Sequence, residues 1–104
     1  QARAEAYFAR AVEFDADEPA YWVDYGSYLF KLGKAKNGLH AIRKAYTLAV
    51  KNVAIVGQVA EVLRRESYYE EAATKLRSAL FENSGDQRFR QLWQQHPSPP
   101  RGAG

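Results

Sequence analysis

The chain has no cysteine among its 104 residues, which removes disulfides, thiolate catalysis and thiolate metal ligation together and leaves the redox compartment undetermined. It also lacks any run of about 18 apolar residues, the minimum for a membrane-spanning helix. Its two histidines, His40 and His96, stand far apart, and no H-E-x-x-H, G-x-S-x-G or glycine-rich phosphate loop occurs. Gly26, Gly33, Gly38 and Gly57 are too scattered to make one loop. Glu70 and Glu71 are adjacent, but neighbours on a helix point apart; Glu71 with Lys75 reads as an i,i+4 ion pair. These absences predict a chain that is not an enzyme and holds neither metal nor cofactor. Proline is scarce too, and three of the four prolines crowd into the last eight residues.

What remains has the composition of a small globular domain. A hydrophobic content of 46% and a charged content of 26% lie in the soluble range, so one modest core is expected. Apolar residues recur at helical spacing. Ala4, Phe8, Ala11 and Val12 share one face of a helix over 2–14, with Tyr7 and Phe14 at its flanks. Asp17 before Glu18-Pro19 signals the start of a second helix over 19–32, since a carboxylate accepts first-turn amides and proline tolerates an early position. Gly33 suits the left-handed close of that helix. A third helix follows over 35–50, and Asn52 caps a fourth over 53–65. Ser67 to Glu70 reads as a capping box for a fifth helix, and Ser84 to Gln87 as one for a sixth.

These elements recur with a period of 34. Trp22, Tyr25-Gly26, Leu29, Gly38, Ile42 and Ala45 become Val56, Val59-Ala60, Leu63, Ala72, Leu76 and Ala79. One step back, Ala4, Phe8 and Ala11 keep the second half of the pattern; one step forward, Phe89, Leu92 and Trp93 begin a third copy. This spacing resembles the tetratricopeptide repeat, whose pattern is W-x2-L-G-x2-Y followed by A-x3-F. The resemblance covers residues 1 to about 96, and it departs from the family at Val56, at Gly38, and at Ala16, Val50 and Ser84, where a proline is missing. It implies an all-α fold: a right-handed superhelical α-solenoid of antiparallel helix pairs, about six helices in all. The expected organisation is the second helix of a truncated repeat (1–15), a full repeat (19–52), a second (53–86), a C-terminal capping helix (87–96) and a disordered tail (97–104). Small residues would let paired helices close, with Gly26 facing Gly38 and Ala60 facing Ala72. Trp22, Tyr25, Leu29, Ile42 and Tyr46 are the expected core of the first pair; Val59, Leu63, Tyr69, Leu76 and Leu80 that of the second.

The resemblance also implies where a ligand would sit. In the family the first helix of each repeat lines the concave side and grips an extended peptide or a partner helix. Carried onto this chain, that surface is Val23, Asp24, Ser27, Phe30 and Lys31, then Gly57, Gln58, Glu61, Arg64 and Arg65, with Arg88 and Gln91 from the closing helix. Family members that hold a terminal carboxylate use a lysine and an asparagine, and Val23 and Ser27 stand at those places here. Gly57 is a glycine inside a helix, explained equally by room for a ligand backbone or by close helix packing.

Charge is uneven along the chain. Residues 1–27 carry two basic and six acidic groups, whereas residues 28–52 carry six basic and none acidic. Lys36, His40, Arg43 and Lys44 fall on one helix face, which would be the convex side in the family. Nucleic acid is disfavoured there because no aromatic residue interleaves with these charges. The expected function is therefore a non-catalytic protein-interaction scaffold whose partner is another protein's peptide or helix. The alternative is a structural end segment whose basic convex face meets an anionic polymer or another subunit. Exposed Tyr7, Phe8 or Phe14 on the truncated first helix would favour a homo-oligomer. No membrane partner is implied; the cytoplasm is the default compartment, with the periplasm left open.

Overall fold

A computed structural model describes residues 2–96. These form six helices and no strand: α1 (Ala2–Phe14), α2 (Pro19–Lys31), α3 (Ala35–Leu48), α4 (Val53–Arg65), α5 (Tyr69–Glu82) and α6 (Gln87–Gln95). The chain is all-α and repeat-like. It divides into two compact units, one carrying α1 to α3 up to Ala49 and the other α4 to α6 from Val50. None of the described helices is long and apolar enough to cross a membrane. The tail expected to be disordered, 97–104, lies outside the described residues.

The 34-residue period appears in the backbone itself. Pro19, Val53 and Gln87 each open a helix; Lys31 and Arg65, Ala35 and Tyr69, and Leu48 and Glu82 are further boundary pairs one period apart. The N-caps repeat as well. Glu18, Asn52 and Asp86 are all extended, and each side chain accepts a first-turn amide: Ala20 N–H at 3.2 Å, Ile55 N–H at 3.2 Å and Arg88 N–H at 3.0 Å. This satisfies donors that have no partner inside the helix. Asn52 is the cap the sequence predicts. Asp17 and Ser84 are not caps: Asp17 donates its own N–H to Asp15 Oδ1 at 3.2 Å in the preceding turn, and Asp86 takes the position next to α6.

Ser67 also differs from its expected role. It is the one non-glycine residue among those described with a positive φ, 72°, and it closes α4 instead of opening α5. Its N–H donates to Arg64 O at 3.0 Å and that of Tyr68 to Leu63 O at 2.7 Å. Gly33, at φ 78°, does the same for α2, with Gly33 N–H to Phe30 O at 3.0 Å and Lys34 N–H to Leu29 O at 2.9 Å. Both are Schellman closures. The residue that closes one helix is two positions ahead of the next, so α5 starts at Tyr69 with no side-chain cap.

In the first unit, α2 and α3 close over two glycines. A Cβ added at Gly26 would lie 3.0 Å from Gly38 O, and one at Gly38 would lie 3.0 Å from Gly26 O and 2.9 Å from the Phe30 ring. This contact line decides which face of α2 is buried. Val23, Gly26, Leu29 and Phe30 face inward, so Val23 and Phe30, expected on the ligand surface, are core. Trp22, Tyr25 and Tyr46, expected in the core, are half-buried at its rim. The Trp22 indole N–H donates to Ala16 O at 2.8 Å, and its ring meets His40 edge-on with centroids 6.4 Å apart. Ile42 and Leu29 are fully enclosed, as expected. α1 docks on this pair through Phe8, whose ring lies 5.1 Å from that of Tyr28, and through Lys34 Nζ, 2.9 Å from Glu5 Oε2. Tyr7 and Phe14 are exposed; Phe8 is not.

In the second unit, Val59, Ala60, Leu63, Ala72, Leu76 and Ala79 form the interior of the α4 and α5 pair, while Tyr69 and Leu80 are half-buried instead of central. The predicted pair of Lys75 Nζ and Glu71 Oε2 spans 2.9 Å. Asn83 ends α5 and donates through Nδ2 to Val50 O at 3.1 Å and Ala79 O at 2.8 Å, tying that end to the segment before α4. α6 is anchored by Phe89, which is 2% exposed.

Candidate functional site

Each unit places part of the expected ligand surface, and the two parts differ. In the first, Asp24, Ser27 and Lys31 recur at i, i+3 and i+7 on α2, and together with Phe8 and Tyr28 they line one open cleft of about 370 Å³. Asp24 and Lys31 are exposed, and neither forms an ion pair among the described residues. The floor is aromatic and the rim carries one charge of each sign. Such a cleft fits an extended segment with an apolar side chain flanked by polar groups. The sequence reading did not include Phe8 and Tyr28 in this surface. Tyr28 lies one helical turn beyond Asp24, so its place was open to view; Phe8 enters only because α1 docks on α2.

In the second unit, Gly57, Glu61, Arg64 and Arg65 share a face of α4 at i, i+4, i+7 and i+8. Gln58, Glu61 and Arg65 are exposed, whereas Arg64 is half-buried with its guanidinium 5.6 Å from the centre of the Tyr69 ring. Arg65 Nε lies 3.7 Å from Glu66 Oε2. α6 covers the start of this face. A Cβ at Gly57 would meet Leu92 Cδ1 at 3.3 Å, so the space beside that glycine is taken by the closing helix. His96, at the end of α6, is held below the usual imidazole range by burial first and by the Arg64 charge second, with Glu61 opposing. Arg88 is occupied by its own cap: Asp86 Oδ2 accepts from Nη2 at 2.7 Å and Oδ1 from Nε at 3.1 Å. That hydrogen bond draws the Asp86 carboxyl below its usual range. Arg65 and Arg88 have side chains 51% and 66% exposed, while Arg64 is half-buried.

Every buried side chain among the described residues is apolar, and no three His, Asp or Glu side chains come together there as a metal ion would need. No protein-family model matches the chain, and no curated protein matches it.

Proposed function

We propose that this chain is a segment of a tetratricopeptide-like solenoid, a right-handed superhelix of antiparallel helix pairs, and that it works as a non-catalytic scaffold. It holds an extended peptide or a helix of another protein on the first-helix faces. The supporting observation is the recurrence of helix starts, helix ends, N-caps and Schellman closures at a spacing of 34. Repeated supersecondary units of this kind stack to bury a continuous core and leave one face of each first helix for a ligand. Asp24, Ser27, Lys31 and the aromatic floor beneath them are the first contact; Gln58, Glu61, Arg64 and Arg65 are the second.

The test is a peptide selected from a random display library on the immobilised chain, with its affinity then measured by calorimetry. Lys31→Glu, Arg64→Glu and Arg65→Glu should each weaken it, while Lys36→Glu and Arg43→Glu leave it unchanged. The opposite pattern removes the first-helix faces from consideration.

A further inference from the structure

The exposed face of α3 carries Lys36, His40, Arg43 and Lys44 at i, i+4, i+7 and i+8, within a stretch of the chain that has no acidic residue. Three cations, Lys36, Arg43 and Lys44, alone fit any polyanion and equally fit plain solvation. The fold adds what the sequence does not show. Trp22 of α2 lies beside this row, its ring 6.4 Å from that of His40 at an interplanar angle of 78°, and the Tyr25 ring is also 6.4 Å from that of Trp22. The indole is already fixed by its hydrogen bond to Ala16 O, so a stacking partner has little side-chain freedom to quench.

We propose that Lys36, His40, Arg43 and Lys44 of α3, with Trp22 at their side, form a second binding site, one for single-stranded nucleic acid. Cations that track a backbone next to aromatic ring surfaces are the two elements of sequence-tolerant single-strand binding. A duplex keeps its base faces stacked and has no use for the rings, and an acidic peptide would use only the charges. From Lys36 to Lys44 the helix axis rises about 12 Å, so the contact is short. Asp15 and Asp17, on either side of Ala16, bound it at the Trp22 end. The site lies wholly in the first unit and shares no residue with the cleft of Asp24, Ser27 and Lys31, so its failure would leave the peptide reading untouched.

The probe is a fluorescein-labelled twelve-residue oligothymidylate, followed by anisotropy at 50 mM salt and above. Binding should weaken with a log–log salt slope of about −2, as three phosphate contacts require. His40→Ala should cost at least about fivefold, the lower end for one stacked base. Lys36→Glu and Lys44→Glu should each weaken binding as well, while Arg77→Glu, the same charge change on exposed α5, should not. In a Trp93→Phe background, emission from Trp22 should be quenched on binding. Absence of binding at 50 mM salt overturns the proposal. So does an equal loss with Arg77→Glu, an unquenched Trp22, or equal affinity for duplex DNA or polyglutamate.

Discussion

Gly33 and Ser67, one period apart, hold the same left-handed conformation at the close of α2 and α4, with φ of 78° and 72°. Glycine adopts it freely, whereas a residue with a Cβ is strained there by about 1 kcal/mol. Ser67→Gly should therefore raise stability by about that amount, and Gly33→Ser should lower it. Were Ser67 a helix N-cap, its exchange for glycine would instead cost a few tenths of a kcal/mol. The thermal melt of Ser67→Gly takes opposite signs under these two roles, and Gly33→Ser calibrates the strain at this φ.

Gly26, Gly38 and Gly57 all sit inside helices, where exchanging glycine for alanine gains about 1 kcal/mol of helix propensity. Their neighbours decide the net effect. A Cβ at Gly26 would meet Ile42 Cγ1 at 2.8 Å and backbone oxygen of Gly38 at 3.0 Å, and one at Gly38 meets Gly26 O at 3.0 Å. Backbone cannot move aside, so the overpacking cost of about 1–3 kcal/mol should prevail. At Gly57 the neighbour is the tip of Leu92 at 3.3 Å, a flexible side chain. Gly26→Ala and Gly38→Ala should destabilise, and Gly57→Ala should be neutral or stabilising; denaturant midpoints separate the two outcomes.

The period, the helix positions and the small residues at the α2 and α3 contact were legible in the sequence, because they depend on size and spacing. Caps were legible only in part. Serine and aspartate are favoured types, which pointed to Asp17 and Ser84, but the period points one or two residues on, to Glu18 and Asp86, in step with Asn52. Trp22 was misplaced for a related reason. A large aromatic at a repeat slot looks like core, yet a glycine at 26 sets the line of closest approach, and Val23 and Phe30 are the residues that lie along it. The cleft lined by Phe8 and Tyr28 depends on how α1 docks, which no local pattern specifies.

Asp86 gives a pH dependence with a definite sign. Its carboxyl is drawn below the ordinary value of 3.8 by the Arg88 side-chain hydrogen bond first and the Arg88 backbone N–H second. A depressed folded value means that the stabilisation is complete above the unfolded value and is lost as pH falls through the folded one. Asp86→Asn keeps a cap acceptor and loses the titration. Its melting temperature should fall less between pH 5 and pH 2 than that of the parent chain; equal acid sensitivity would assign the pH dependence to other groups.

α1 is held by two contacts of different kinds, and magnitudes say which dominates. Lys34 and Glu5 form an ion pair with side chains 47% and 30% exposed, and such surface pairs contribute about 0–1 kcal/mol, less in salt. Phe8 is half-buried against Tyr28. Truncating a fully buried phenylalanine costs about 3–5 kcal/mol, and partial burial leaves a fraction of that, still above the ion pair. Phe8→Ala should therefore release α1, raising amide exchange over residues 3–14 while α2 and α3 stay protected. Lys34→Ala should change it little, and raising salt should not mimic Phe8→Ala. If salt alone releases α1, the ion pair is the anchor and the aromatic floor of the cleft is secondary.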